Sequence, residues 1–278
     1  MTKIAAIQLC STNDLNKNLQ TAACLIKEAA QTGAKLAVLP EMFPLLGTDP
    51  KELLAIKENY GTGKIQDFLK EQAINNNLWI AGGTIPLSSA QSNKVFAACI
   101  IYNNLGHQVA CYNKIHLFDV VISEKEFYKE STVTEPGNTL VVIDSPIGKL
   151  GIAVCYDIRF PSLFTSLLNL GAEVFAIPTA FTVKTGIAHW HTLTRARAIE
   201  NLCYVVGACQ FGTHANGRQT YGHSLIVEPW GQIIQEIQEP RTGIVCAEID
   251  LAYLHKLRAS LPTQKHQRIT VEFPKTKN

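Results

Sequence analysis

The chain has 278 residues, 46% of them hydrophobic and 17% charged, which supports a substantial core and is unlike a disordered chain. Its formal charge is only +2, with lysines and arginines scattered along it, so no nucleic-acid partner is expected. No stretch approaches the roughly 20 apolar residues of a membrane span, and the run after Met1 is too short for an export signal, so a cytoplasmic protein without a membrane partner is expected.

In chain order, residues 4–9 read as a buried strand. Leu15, Leu19, Ala22, Ile26 and Ala29 then fall on one helical face, and Gly33 stands where a helix stops. Residues 36–39 are strand-like and end at Pro40-Glu41. A helix near 65–74 precedes a strand at 78–83, and 95–102 pairs with 108–112 as a hairpin across Asn103-Asn104-Leu105-Gly106. Residues 149–154 form another apolar strand. Pro161 suits the first turn of a helix through Leu163, Phe164, Leu167 and Leu168, with Gly171 past its end. Strand 173–178, helix 188–201 and strand 203–209 follow, and then strands at 224–227, 233–237 and 244–249. The pattern predicts α/β layers with mixed sheets, in one domain over 1–278 whose residues after about 263 form an arm. It leaves open whether there is one sheet or two.

Eight cysteines lie at 10, 24, 99, 111, 155, 203, 209 and 246, and no two have the close spacing of a structural zinc site. No metal, cofactor or disulfide is expected. A cysteine after an apolar strand is ordinarily a buried structural thiol, and seven of the eight are read so.

Open α/β sheets place reactive groups at the carboxyl ends of strands. Three polar residues qualify: Glu41, Lys114 and Cys155. Either of the first two alone would be an ordinary helix cap or surface residue. Together they fit a thiol of pKa about 8.5, which needs a base to take its proton or a cation to favour the thiolate. Cys155 also leads through Tyr156-Asp157-Ile158-Arg159-Phe160-Pro161 into a helix, so the Tyr156 amide can face a developing oxyanion. Gly222-His223-Ser224 lacks a serine hydrolase's second glycine, since Ile226 stands there, and Gly61-Thr62-Gly63-Lys64 fits no nucleotide loop.

Leu39-Pro40-Glu41-Met42-Phe43, Tyr112-Asn113-Lys114-Ile115-His116-Leu117-Phe118-Asp119 and Val154-Cys155-Tyr156-Asp157-Ile158-Arg159-Phe160-Pro161 resemble the three signatures of the nitrilase superfamily of carbon-nitrogen hydrolases. Segments 178–190, 195–201, 221–224 and 229–231 resemble its Nit branch, and 213–218 is closer to the deaminated glutathione amidases than to the omega-amidases. The resemblance implies a four-layer α-β-β-α sandwich, a homodimer or larger homo-oligomer, and hydrolysis of a small carboxylate-bearing carboxamide to acid and ammonia. Water and the amide are then the only small-molecule partners.

It also implies a thioester mechanism with Glu41 as base, Cys155 as nucleophile, and Lys114 with the Tyr156 amide at the oxyanion. Glu130, preferred to Glu124 and Glu126, would position Lys114 and substrate. Arg159, Phe181, Thr185, His189 and His191 are candidate substrate-binding residues. Asp157 and Arg159 are expected to brace the elbow through a salt bridge or hydrogen bonds, with direct substrate contact the alternative, and His189, Trp190 and His191 fit aromatic packing equally well. Arg195 and Arg197 lie two apart on a helix and face different ways, against a shared anion clamp. Two departures bear on selectivity: His191 stands where many Nit relatives have Glu, and 119–123 lacks the Pro and Gly usual there. Nitrile hydrolysis, acyl transfer on the same residues, or a silent interaction module are the rival readings.

Overall fold

The computed structural model describes residues 1–124 and 126–269. The chain opens with β1 (Thr2–Gln8), α1 (Leu15–Gln31) and β2 (Ala34–Val38), then α2 (Lys64–Asn75) and β3 (Trp79–Ala81). Asp14 caps α1 by accepting the Lys17 amide, and Gly33 ends it at φ 85°. Strands β4 (Ile85–Ser88), β5 (Val95–Tyr102) and β6 (Gln108–Asn113) follow, with β5 and β6 paired as the foreseen hairpin. A small hairpin of β7 (Asp119–Ser123) and β8 (Glu126–Lys129) leads to β9 (Val142–Ser145), β10 (Gly148–Ile152), α3 (Pro161–Asn169) and β11 (Val174–Thr179). The helix expected over 188–201 is divided: residues Gly186–Trp190 wind as a wider π turn before α4 (His191–Asn201). The remainder is β12 (Tyr204–Cys209), β13 (Phe211–Thr213), β14 (Gln219–Tyr221), β15 (Leu225–Val227), β16 (Ile233–Glu236), β17 (Gly243–Ile249) and α5 (Leu251–Ser260).

Two main sheets result. The first runs β17-β1-β2-β3-β5-β4 with β6 on β5, and the second β16-β15-β12-β11-β10-β9. Strand alternation builds the layers. Ile4 and Ala6 of β1, with Leu36 and Val38 of β2, face Ile152, Ala176 and Val206 of the second sheet, whereas Ala5, Ile7 and Ala37 face Leu19, Ile26 and Leu69 of α1 and α2. Phe164 and Leu167 of α3 and Ala198 of α4 cover the other side. The order is therefore helices, sheet, sheet, helices. Each fully buried Val, Leu, Ile or Phe among them contributes roughly 1.5–3 kcal/mol.

This architecture aligns the strand ends. β1, β2 and β3 are mutually parallel, as are β10, β11 and β12. Leu9 bridges Gln210 in parallel, so the carboxyl ends of both sheets open on one edge.

Among the seven cysteines read as buried thiols, Cys24 is exposed on the outer side of α1, outside the face formed by Leu19, Ala22, Leu25, Ile26 and Ala29. The expected arm begins with a helical turn at Thr263–His266, and residues 270–278 lie outside the described residues. No described helix is long and apolar enough to cross a membrane.

Candidate active site

Glu41 leaves β2 through a turn in which Met42 takes φ 56° and donates its amide to Thr84 Oγ1 at 2.8 Å. The turn is packed so closely that a Cβ on Gly83 would fall 2.1 Å from the Pro40 carbonyl oxygen, so only glycine fits. Gln210, buried at the end of β12, donates to the Glu41 carbonyl at 3.0 Å. Lys114 follows β6, with its carbonyl accepting the Gly137 amide at 2.8 Å. Cys155 follows β10 at φ 45°, a conformation costly for a residue with a Cβ, and opens the 3-10 turn Cys155–Arg159. This is the sharp elbow that the sequence pointed to.

Asp157 holds the elbow. Fully buried, it accepts the Val154 amide at 2.8 Å and the Tyr112 hydroxyl at 2.7 Å, and its other oxygen takes the His116 amide at 3.0 Å and meets His116 Nδ1 at 2.7 Å. One carboxylate thereby joins the Cys155 turn to both flanks of Lys114. Arg159, expected to share this role, makes no bond to Asp157. It contacts His189 Nδ1 at 3.3 Å and lies over the rings of Phe181 and Tyr156.

Lys114, with 1% of its side chain exposed, binds Glu41 Oε1 at 2.8 Å and the two Glu130 oxygens at 3.0 and 2.8 Å. Glu130 Oε2 also accepts the Phe118 amide at 2.6 Å. Burial by itself would lower the Lys114 pKa, but Glu130 and Glu41 outweigh it and hold the ammonium above the ordinary lysine range. Burial raises the Glu130 carboxyl, with Lys114 opposing and Glu41 adding to the rise. Burial, then the negative charge and hydrogen bond of Glu41, push the Cys155 thiol well above its usual range against the pull of Lys114 and the Ala180 amide. The free site thus holds a thiol beside a carboxylate and a fixed cation.

These groups line a cavity of about 420 Å3, within the range of small-ligand sites. Glu41, Lys114, Glu130, Cys155, Tyr156, Arg159, Phe181 and Thr185 all face it. His189 and His191 do not. His189 is exposed against Arg159, and His191 turns to Glu236, whose Oε1 lies 2.6 Å from His191 Nε2 and 2.7 Å from His223 Nδ1. Donor atoms of His191, His223 and Glu236 lie within 4.8 Å of one another, the one such group among the described residues, and none of the three lines the cavity. Arg195 and Arg197 point apart, as expected: Arg195 is exposed and donates to the Gly231 carbonyl, and Arg197 is buried and donates to the Ile158 carbonyl.

Sequence reasoning missed Gln210, Tyr128 and Arg218. The first carried a usable signal, because it is the polar residue directly after an apolar strand, like Glu41 and Lys114. Tyr128 and Arg218 line the cavity, but Tyr128 lies on the short β8 and Arg218 in the connection just before the short β14, where no apolar pattern marks them.

Residues 3–259 match the carbon-nitrogen hydrolase family. A deaminated glutathione amidase of Bos taurus is 42% identical over 269 residues, covering 95% of this chain and 81% of the relative. Among solved structures, Nit3 of Saccharomyces cerevisiae, a member of branch 10 of the nitrilase superfamily, superposes with a TM-score of 0.86 at 32% identity over 96% of this chain and 97% of that one. The NitFhit protein of Caenorhabditis elegans gives the same TM-score at 38% identity, with 96% of this chain covering 65% of that longer one.

Proposed function

The chain belongs to the carbon-nitrogen hydrolase family, in the nitrilase superfamily, and from that premise we propose that it is an amidase working through a Cys155 thioester on a carboxylate-bearing carboxamide of the deaminated glutathione or omega-amide type. The observation that carries this reading is Lys114, buried between Glu41 and Glu130 in the cavity that Cys155 faces.

The roles follow from the charges. In the free site the sulfur keeps its proton, so thiolate forms only as substrate binds and Glu41 takes that proton. The sulfur attacks the amide carbon, and the oxyanion forms near the Lys114 ammonium and the Tyr156 amide. The carbon-nitrogen bond breaks, the leaving nitrogen takes the proton from Glu41, and an acyl thioester remains. Water then gives a proton to Glu41 and attacks the thioester carbon, releasing the acid and restoring the thiol. Glu130 holds Lys114 on its far side, so the cation stays directed at the reacting centre. Arg159, with no carboxylate partner among the described residues, pairs with the carboxylate on the acyl side of the substrate, and Phe181 and Thr185 shape the floor beside it. The eight free thiols suit a reducing cytoplasm.

Mass spectrometry of the intact protein after mixing with a panel of carboxylated amides tests this. An acyl adduct on Cys155, together with the acid product, is the expected result, and Cys155→Ala keeps the fold but forms neither. Full turnover by that variant would remove Cys155 from the role.

A further inference from the structure

Outside the cavity, His191 belongs to a second cluster of ionisable groups. It opens α4, His223 stands in the turn between β14 and β15, and Glu236 ends β16. Their donor atoms all lie within 4.8 Å of one another, and His191 Nε2 and His223 Nδ1 approach the same oxygen, Glu236 Oε1, at 2.6 and 2.7 Å. The other imidazole-carboxylate contacts among the described residues, His116 with Asp157 and His255 with Glu173, bring a single histidine to each acid. Cysteine spacing argues against a zinc site in this chain, but two histidines and a glutamate from three separate elements leave no spacing to read.

The surroundings aim these side chains. Fully buried Trp190 donates its indole N–H to the His223 carbonyl at 2.8 Å, and the Tyr221 ring stacks on the His223 imidazole with centroids 4.1 Å apart. Tyr221 also meets His191 edge-on at 6.0 Å. Pairing of β15 with β16 sets Glu236 opposite Leu225, two residues past His223. Among the described residues the Glu236 carboxylate is met by the two imidazoles alone, whereas the Asp157 oxygens are also taken up by two backbone amides and a tyrosine hydroxyl. Glu236 therefore has lone pairs to spare. All three residues are partly exposed, which leaves an ion a path to them.

We propose that His191, His223 and Glu236 form a binding site for a divalent transition-metal ion, zinc by the chemistry of the donors, with water in the fourth position. Two imidazoles and one carboxylate are a donor set that zinc takes with one position left open. A tetrahedral ion about 2.0–2.1 Å from each ligand holds the ligands roughly 3.3 Å apart, so Glu236 withdraws from each imidazole by less than about 1 Å, which rotation of its side chain supplies. Each imidazole binds neutral, its proton on the ring nitrogen that faces away from the ion. None of the three lines the Cys155 cavity, so the ion stands apart from the thioester chemistry and ties the start of α4 to the β14–β15 turn and to β16.

Isothermal titration of the Cys155→Ala protein with zinc chloride at neutral pH tests this, the substitution removing the cavity thiol that would compete for the metal. One equivalent is expected to bind with a micromolar or tighter Kd. Removing even a partner of a metal ligand costs about tenfold to a hundredfold in affinity, so Glu236→Gln and His191→Gln, each in that background, are expected to weaken binding by about a hundredfold or more. Zinc sufficient to fill the site raises the urea midpoint of the Cys155→Ala protein and leaves that of the added Glu236→Gln variant where it was. X-ray absorption at the zinc edge of the loaded Cys155→Ala protein decides even where an added variant fails to fold: nitrogen and oxygen neighbours at about 2.0–2.1 Å, two of them imidazole, are expected, with no sulfur at about 2.3 Å. Absence of a one-equivalent site, or a sulfur in the first shell, overturns the proposal. So do Glu236→Gln and His191→Gln variants that bind zinc as tightly as their parent.

Discussion

At the scale of single residues, the site is a buried set of charges in which Glu130 and Glu41 hold the Lys114 ammonium and Glu41 opposes ionisation of Cys155. Glu41 raises the Cys155 pKa, so removing its charge has two opposite effects. Glu41→Gln is expected to abolish turnover for want of a base, and yet to let iodoacetamide alkylate Cys155 at a lower pH than in the wild-type protein. A pH series of alkylation rates measures this, and an upward movement of the midpoint would contradict the assigned electrostatics. Lys114 gives a stability prediction. Its folded pKa is raised, so its contribution is complete below the unfolded lysine value and is lost only as alkaline pH passes the folded one. Lys114→Met leaves two carboxylates facing each other without their cation and is expected to cost about 3–5 kcal/mol in urea unfolding at neutral pH. Because the Glu130 pKa is already raised and loses the one charge opposing that rise, this deficit shrinks on acidification as Glu130 takes up a proton. Glu41, Lys114 and Cys155 were legible in the sequence because each follows an apolar strand. Arg218 and Tyr128 were not, because nothing local marks a residue whose partners lie in other hairpins.

At the scale of elements, the elbow holds its strained Cys155 because Asp157 ties it to the segment carrying Lys114. Asp157→Asn preserves the volume but turns one acceptor into a donor facing either the Val154 amide and Tyr112 hydroxyl or the His116 amide. With such a group left unsatisfied in a fully buried position, stability is expected to fall by about 2–4 kcal/mol, read from the urea midpoint, and kcat to fall with it. Unchanged stability would mean that the elbow is held by packing alone. The long strands and helices were legible for a simple reason: β1, β2 and β11 are buried on both faces, and α1 buries a continuous stripe. The β7–β8 hairpin was not, since it exposes Val121 and Phe127 where alternation would bury them. Helix α5 escaped because Leu254 is its one buried residue, too little to set a period. The resemblance puts His191 near the substrate because many Nit relatives have Glu at that position, but the start of α4 turns consecutive side chains to different sides, and Glu236 captures it.

At the scale of the whole molecule, the outer side of α4 carries exposed apolar side chains from two segments of the chain. Ile199 is 46% exposed and Trp230 62% exposed, and Ile199 packs so closely on the Trp230 turn that a Cβ on Gly231 would fall 2.5 Å from it. Ile187, one turn before α4, is 67% exposed. Isolated exposed apolar residues are ordinary, but a tryptophan and two isoleucines around one helix make a face suited to a second copy of the chain. Such a homodimer would extend the sandwich across its outer helices. The other side of the same helix bears on the chemistry, because buried Arg197 donates to the Ile158 carbonyl at 2.8 Å and so supports the Cys155 turn from behind. Pairing through the outer face would therefore restrain the elbow as well as cover apolar surface. Trp230→Glu places a charge in the middle of that face and is expected to shift the protein from dimer to monomer in sedimentation at micromolar concentration. Its kcat should fall several-fold while the Cys155 acyl adduct still forms, since the variant keeps every group that lines the cavity and loses only the restraint on the elbow. A wild-type protein that sediments as a monomer, or a monomeric variant with unaltered kcat, would separate the α4 face from catalysis.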